Sequence, residues 1–167
     1  MLSHVSEGLR PMMGERHPRF ELAQADAFEP PLVIRERDER ALYDIAFGAI
    51  QNSPRIARGL LAEVRRAEVR PDNEVPPHFI GLGSIAVCFE SDGVRSRYHW
   101  PELVEPVHSD PEISRVSVLS ELGVALIGVA AGQPIVWRDH KGRLRRYFVL
   151  EVETPEPRPS VGEEQGA

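Results

Sequence analysis

Residues 117–137 read Ser117-Val118-Leu119-Ser120-Glu121-Leu122-Gly123-Val124-Ala125-Leu126-Ile127-Gly128-Val129-Ala130-Ala131-Gly132-Gln133-Pro134-Ile135-Val136-Trp137. A strand over 114–119 leads in. Ser120 is a good N-cap, because a serine hydroxyl accepts from one of the backbone N–H groups that a helix start leaves without a partner. The run behind it predicts a short helix over 120–128. Gly128 suits the left-handed residue just past its end. Gly132 opens a turn into a strand over 135–137. A short helix set between strands makes this half of the chain α+β.

Toward the C-terminus, Asp139-His140-Lys141-Gly142 has the length of a hairpin loop. Leu144, Arg146, Phe148, Leu150 and Val152 alternate along a last strand. Toward the N-terminus, Ile85, Val87 and Phe89 alternate with Ala86, Cys88 and Glu90. Ser91-Asp92-Gly93 signals a hairpin turn. Its return strand sets Val94, Ser96, Tyr98 and Trp100 on one face and Arg95, Arg97 and His99 on the other. Pro101, Pro106 and Pro111 punctuate a long connection. About five strands and one short helix result, with Trp100 and Trp137 as expected core anchors.

Pro76-Pro77 marks a boundary ahead of this β-rich part. Before it, an extended run over 31–34 gives way to a helical stripe of Leu42, Ile45, Ala46 and Ala49. Glu36, Asp38 and Glu39 crowd its first turn and suit the macrodipole. Gln51-Asn52-Ser53-Pro54 breaks the run, with Ser53 as N-cap and Pro54 as first residue of a second helix. That helix carries Ile56, Leu60, Val64 and Ala67 on one face, runs to about Val69 and is stopped by Pro71. So short a break makes an antiparallel helical hairpin, a short coiled coil, about 20–24 Å long at 1.5 Å per residue. The hairpin is either a helical layer on the sheet or a finger whose tip touches a partner. The expected plan is a disordered tail over 1–30, the hairpin over 31–75, the β-rich domain over 76–155 and a second disordered tail over 156–167.

Composition narrows the function. The chain has 167 residues, 20 basic against 26 acidic side chains and a net charge of -6, with no strongly one-signed block. That argues against a generic nucleic-acid coat and for protein partners, or none, before DNA. A lone cysteine, Cys88, excludes an intramolecular disulfide framework and a cysteine-based zinc site. No apolar run approaches the roughly 18 residues a membrane span needs, and the first 20 residues lack the apolar segment of a secretory signal. The cytoplasm is the expected compartment.

Chemistry-bearing patterns are sparse. The six histidines, His4, His17, His78, His99, His108 and His140, form no helical ligand pair, so no metal is expected. Gly81-Leu82-Gly83-Ser84 lacks the ending of a phosphate loop and precedes a strand. Cys88 sits mid-strand among apolar neighbours with no activating partner. Ser120 lies outside any nucleophile elbow. Arg143, Arg145 and Arg146 form a basic cluster that is either a solvated face or a site for an acidic partner. Neither a catalytic residue nor a cofactor is expected.

The quoted stretch resembles the C-terminal signature of the Gre transcription factors: a strand, a small-residue turn, Gly, Ala, two aliphatics, Gly, then Gly and a strand. The ending Phe148-Val149-Leu150-Glu151-Val152 fits as well. Within that family, Ser91-Asp92-Gly93-Val94-Arg95-Ser96-Arg97 is similar to the corresponding hairpin of the regulator of nucleoside diphosphate kinase. The resemblance covers about Leu32 to Pro155. It implies an FKBP-like C-terminal domain, an N-terminal coiled coil, and binding to RNA polymerase at the secondary-channel rim. In the cleavage factors of the family, acidic residues at the coiled-coil tip hold a magnesium ion, because hard Mg²⁺ prefers charged oxygens. Here the tip is Ile50-Gln51-Asn52-Ser53-Pro54-Arg55 and has no carboxylate. The resemblance therefore implies a non-catalytic, monomeric regulator that occupies polymerase without stimulating transcript cleavage or reading DNA sequence. The cleavage factors contact polymerase through an Asp-Ser-Pro step, matched here by Leu119-Ser120-Glu121. Leu119, Ser120, Glu121 and Leu122 are thus the expected docking loop, with Gln51, Asn52, Ser53 and Arg55 as the expected hairpin tip. Two rival readings remain: a module acting on another protein such as a kinase, and an FKBP-like peptidyl-prolyl isomerase.

Overall fold

The computed structural model describes residues 29–91 and 94–154. The two expected disordered tails, Glu29 and Pro30 apart, lie outside these residues, as do Asp92 and Gly93 of the expected turn. The chain is α+β. Strand β1 (Val33–Arg35) leads into helix α1 (Glu36–Ala49), which is followed by α2 (Pro54–Arg66) and strand β2 (Glu68–Arg70). Of the predicted stripes, Leu42 and Ala46 on α1 and Leu60 and Val64 on α2 are buried, while Ile45, Ala49 and Ile56 are half-buried; Ala57 and Leu61 are buried beside them.

One local expectation fails here. The second helix ends at Arg66, before Val69, because the chain turns extended at Ala67 (φ -71, ψ 146). The next three residues pair in parallel with β1, Val33 opposite Glu68 and Arg35 opposite Arg70. Strand pairing, rather than Pro71, stops the helix. Asp38, one of the first-turn acids, is buried. Its carboxylate lies 3.7 Å from Arg35 Nη1 and accepts from the Leu82 N–H at 3.4 Å. Burial pushes the Asp38 carboxyl up, against the pull of Arg35 and Arg37. Gly81 makes this possible, since a Cβ there would stand 2.5 Å from Arg35 Nη1 and 2.6 Å from Asp38 Oδ2.

The remaining strands are β3 (Ile85–Ser91), β4 (Ser96–His99), β5 (Glu102–Val104), β6 (Arg115–Ser117), β7 (Pro134–Arg138) and β8 (Leu144–Glu153), with α3 (Glu121–Leu126) between β6 and β7. They form one sheet in the order β6-β5-β3-β8-β7, with β4 also pairing on β3. Strand β5 was hidden by the prolines around it; it runs antiparallel to β3 and parallel to β6.

The last strand corrects a second pattern. Val87 is opposite Glu151 but Cys88 is opposite Val149, so Leu150 is an extra residue in a bulge. The simple alternation from Leu144 to Val152 is broken there. Tyr147 and Val149 enter the core, whereas Leu150 is 44% exposed. Trp100, an expected core anchor, is 55% exposed, because it follows the edge strand β4 on the face away from the core. Trp137 is half-buried against the core and meets Tyr147 edge-on, ring centroids 5.7 Å apart.

Helices and sheet share one core. Leu42, Leu60 and Val64 join Cys88, Leu126, Val129 and Val149 in a single buried cluster. The extended segment before α1 is stitched into it: Val33 N–H donates to Gly128 O at 3.0 Å, and Gly128 N–H donates to Ile80 O at 2.7 Å. Gly128 takes the left-handed conformation predicted for it (φ +75). No helix among the described residues is long and apolar enough to cross a membrane.

Candidate docking site

The turn between α1 and α2 is closed by Asn52 and Ser53 N–H groups donating to Ala49 O at 3.1 and 2.8 Å. Gln51, Asn52, Ser53 and Arg55 are all exposed. Ser53 starts α2 as expected, but its side chain makes no capping bond; only its carbonyl accepts, from Ala57 N–H at 3.0 Å. The tip therefore presents amide and hydroxyl groups and a guanidinium, and no carboxylate of its own.

The loop before α3 is built tightly. Ser120 Oγ donates to Ser117 O at 2.7 Å and accepts from Gly123 N–H at 3.0 Å. Ser117 Oγ accepts from Leu119 N–H at 3.0 Å. The predicted N-cap is therefore present, and its hydroxyl is occupied within the loop. Gly123 fits because a Cβ there would stand 2.0 Å from Ser117 O.

This construction divides the four expected loop residues. Leu119 and Leu122 are half-buried and pack on the core cluster. Ser120 holds the turn together. Glu121 is half-buried, with its side chain 29% exposed. The loop is half-buried, because both leucines anchor it.

The structure brings the two expected sites together through one contact. Arg55 of the tip forms a two-pronged ion pair with Glu121 of the loop; its Nη2 meets Oε1, and its Nη1 donates to Oε2 at 3.4 Å. Hydrogen bonding to Glu121, and then attraction between the charges, raises the Arg55 guanidinium above its ordinary value. Gln51, Asn52 and Ser53 do not take part in this contact. No sequence signal pointed to it, since 66 residues separate the partners. Behind it, α2 and α3 approach closely: a Cβ on Gly59 would stand 3.7 Å from Val124 Cγ1.

Other candidate chemistry stays quiet. Cys88 is fully buried, and burial pushes its thiol up to about 12, as an inert core cysteine requires. Among the described residues no group of three or more His, Cys, Asp or Glu could hold a metal ion. Gly81-Leu82-Gly83-Ser84 is a structural lead-in, with Ser84 Oγ accepting from Gly81 N–H at 3.0 Å. In the arginine cluster, Arg143 pairs with Asp139 at 2.8 Å and Arg145 with Glu90 at 2.5 Å.

The fold has a counterpart among solved structures. A prokaryotic transcription elongation factor GreA/GreB from Nitrosomonas europaea matches with a TM-score of 0.61 and 28% identity, over 74% of this chain and 99% of that one. The chain has a Gre-like fold. This likeness supports membership of the Gre family. GreA factor homolog 1 (Gfh1) of Thermus thermophilus matches at a TM-score of 0.39 and 16% identity, again over 74% of this chain and 99% of that one. Gfh1 of Thermus aquaticus gives 0.38 and 15% over the same shares. Only the first match carries weight. No protein-family model and no curated protein matches the Gre-like chain.

Proposed function

We propose that this protein is a non-catalytic, RNA polymerase-binding transcription regulator of the nucleoside diphosphate kinase regulator type. It occupies the secondary-channel rim without stimulating transcript cleavage. The observation that carries this reading is the likeness to the Nitrosomonas europaea elongation factor, which extends over 99% of that protein. The docking surface is the Glu121 carboxylate beside the exposed hairpin tip of Gln51, Asn52, Ser53 and Arg55. The β-rich part is the FKBP-like domain of the resemblance and the helix pair its coiled coil.

Two features favour occupancy without cleavage. Helices of 14 and 13 residues span only about 21 and 20 Å at 1.5 Å per residue. The tip turn has no carboxylate to hold a catalytic magnesium ion, and the nearby Glu121 is already bound to Arg55.

Core polymerase mixed with this protein, with and without a competing cleavage factor, tests the reading. Competitive co-purification is expected, and a backtracked elongation complex should release no short 3′ RNA above the polymerase's own rate. Failure to co-purify overturns the partner; stimulated release of RNA fragments overturns the non-cleaving role.

A further inference from the structure

Residues 105–114 connect β5 to β6 and turn back onto β6, the last strand at one edge of the sheet. An edge strand has backbone groups without a strand partner, and the connection takes up some of them. Asp110 N–H donates to Arg115 O at 3.0 Å, and Arg115 N–H donates to Asp110 O at 2.9 Å. Ser109 Oγ donates to the same Arg115 carbonyl at 3.4 Å. Two proline-started 3₁₀ turns make up much of the connection, Pro106–His108 and Pro111–Ile113. Ser109 N–H closes the first on Pro106 O at 3.2 Å, and Ser114 N–H closes the second on Pro111 O at 3.3 Å. The Asp110 carboxylate accepts from Glu112 N–H at 3.1 Å.

This bonded segment holds two large aliphatic side chains in solvent. Val107 is 80% exposed and Ile113 58%. Scattered single aliphatics are ordinary on a protein surface. A mobile loop, however, can fold such groups inward, whereas prolines fix φ in both turns here and hydrogen bonds close them. The exit is strained as well. Ser114 is the only non-glycine residue with positive φ among the described residues, at +60, a conformation that the surrounding structure has to impose. Topology sets Val107 at the Glu121 end of the sheet. Strands β5 and β6 are parallel, with Val104 opposite Ser117, and Val118 N–H donates to Val104 O at 2.9 Å. The chain thus leaves both strands at the same end, from β5 toward Val107 and from β6 toward Ser120 and Glu121. Ile113 stands just before the start of β6, about 10 Å along the strand at 3.3 Å per residue.

We propose that this connection is a docking surface for RNA polymerase, continuous with Glu121, in which Val107 and Ile113 enter apolar recesses of a basic protein surface. The proposal rests on the polymerase-binding reading and extends it from one carboxylate to a row of contacts along the β6 edge. Charge selects the kind of partner. Residues 105–114 hold three acids, Glu105, Asp110 and Glu112, and no Lys or Arg. The adjoining Arg115 guanidinium is tied to Glu102 at 3.1 Å. Such a segment repels a nucleic-acid backbone or an anionic membrane and suits a basic protein surface. Its rigidity favours affinity, because a segment ordered before binding loses little freedom on docking.

Titration of the full chain against core polymerase, with melting temperatures recorded alongside, tests it. The double variant Val107→Ser, Ile113→Ser should melt like the wild type, since both side chains stand in solvent. It should bind core polymerase at least about tenfold more weakly. Glu112→Arg, at an exposed position, should also weaken binding and flatten its salt dependence. Leu150→Ser, at another exposed aliphatic (44%), should bind as the wild type does. A folded double variant with wild-type affinity, beside a weakened Glu121→Arg, overturns this surface and leaves the polymerase reading standing. Unchanged binding by Glu112→Arg overturns the basic partner surface. An equal loss in Leu150→Ser overturns the assignment to this connection. A wild-type chain that does not bind overturns both readings together.

Discussion

Arg55 at the start of α2 and Glu121 at the start of α3 form an ion pair across 66 residues of sequence. It fastens the exposed hairpin tip to the loop that leads into the short helix, so the two expected contact regions form one surface. Exposed ion pairs contribute little to stability. The pair therefore positions groups more than it holds the fold.

Reversing one partner tests that surface. Glu121→Arg places two guanidinium groups side by side, yet the melting temperature should stay essentially unchanged. Affinity for core polymerase should fall at least about tenfold, the equivalent of 1.4 kcal/mol. The double variant Arg55→Glu, Glu121→Arg restores the internal pair with its charges exchanged. If Glu121 touches polymerase directly, the double variant stays weak. Full recovery would assign Glu121 a role in ordering the surface, and an unchanged single variant would remove this loop from the interface.

The two tight glycines should differ in cost. A Cβ at Gly81 meets the side-chain ends of Arg35 and Asp38, at 2.5 and 2.6 Å, which can shift only by loosening a buried ion pair. Gly81→Ala should destabilise by about 1–3 kcal/mol, the range for overpacking. At Gly123 the obstacle is the backbone carbonyl of Ser117, at 2.0 Å, which cannot swing aside. Gly123→Ala should cost more than Gly81→Ala in chemical denaturation, with the larger loss coming from a displaced 117–123 loop. The reverse order would contradict this account of the loop.

Asp139 gives a defined pH dependence. Burial raises its carboxyl, but N–H donors from Arg143 and Lys141 and the Arg143 guanidinium outweigh this and bring it down from 3.8 to about 2. A folded-state value below the unfolded one means that the charged form stabilises the fold. That contribution is complete above about pH 4 and is lost as pH falls toward 2. Asp139→Asn should thus melt lower than the wild type at pH 6, and the two curves should converge near pH 2. A difference that stays constant across this range would show that the carboxylate's charge is not what matters.

The shared core predicts the behaviour of a fragment. Residues 75–154 lack Leu42, Leu60, Leu61 and Val64, which share one buried cluster with residues of the sheet and α3 in the whole chain. Each fully buried leucine or valine contributes roughly 1.5–3 kcal/mol. The isolated fragment should bind a hydrophobic dye and melt without cooperativity. A sharp two-state melt would show that the β-rich part stands alone.

The sequence by itself determined the features governed by neighbouring residues. The stripes of Leu42 and Ala46, and of Leu60 and Val64, set both helices, since helical periodicity is a local property. Ser120 and Gly128 bounded α3, because capping and left-handed backbone depend on single residue types within one turn. Tertiary structure decided what depends on distant partners. Helix α2 stops at Arg66 because residues 68–70 find β1, and Leu150 leaves the core pattern because a bulge is settled between strands. Trp100 is exposed because nothing in its own segment says which face of an edge strand will be covered. For the same reason the Arg55–Glu121 contact was illegible. Pattern reading places each residue on its own element, whereas a meeting of two helix starts depends on how those elements pack.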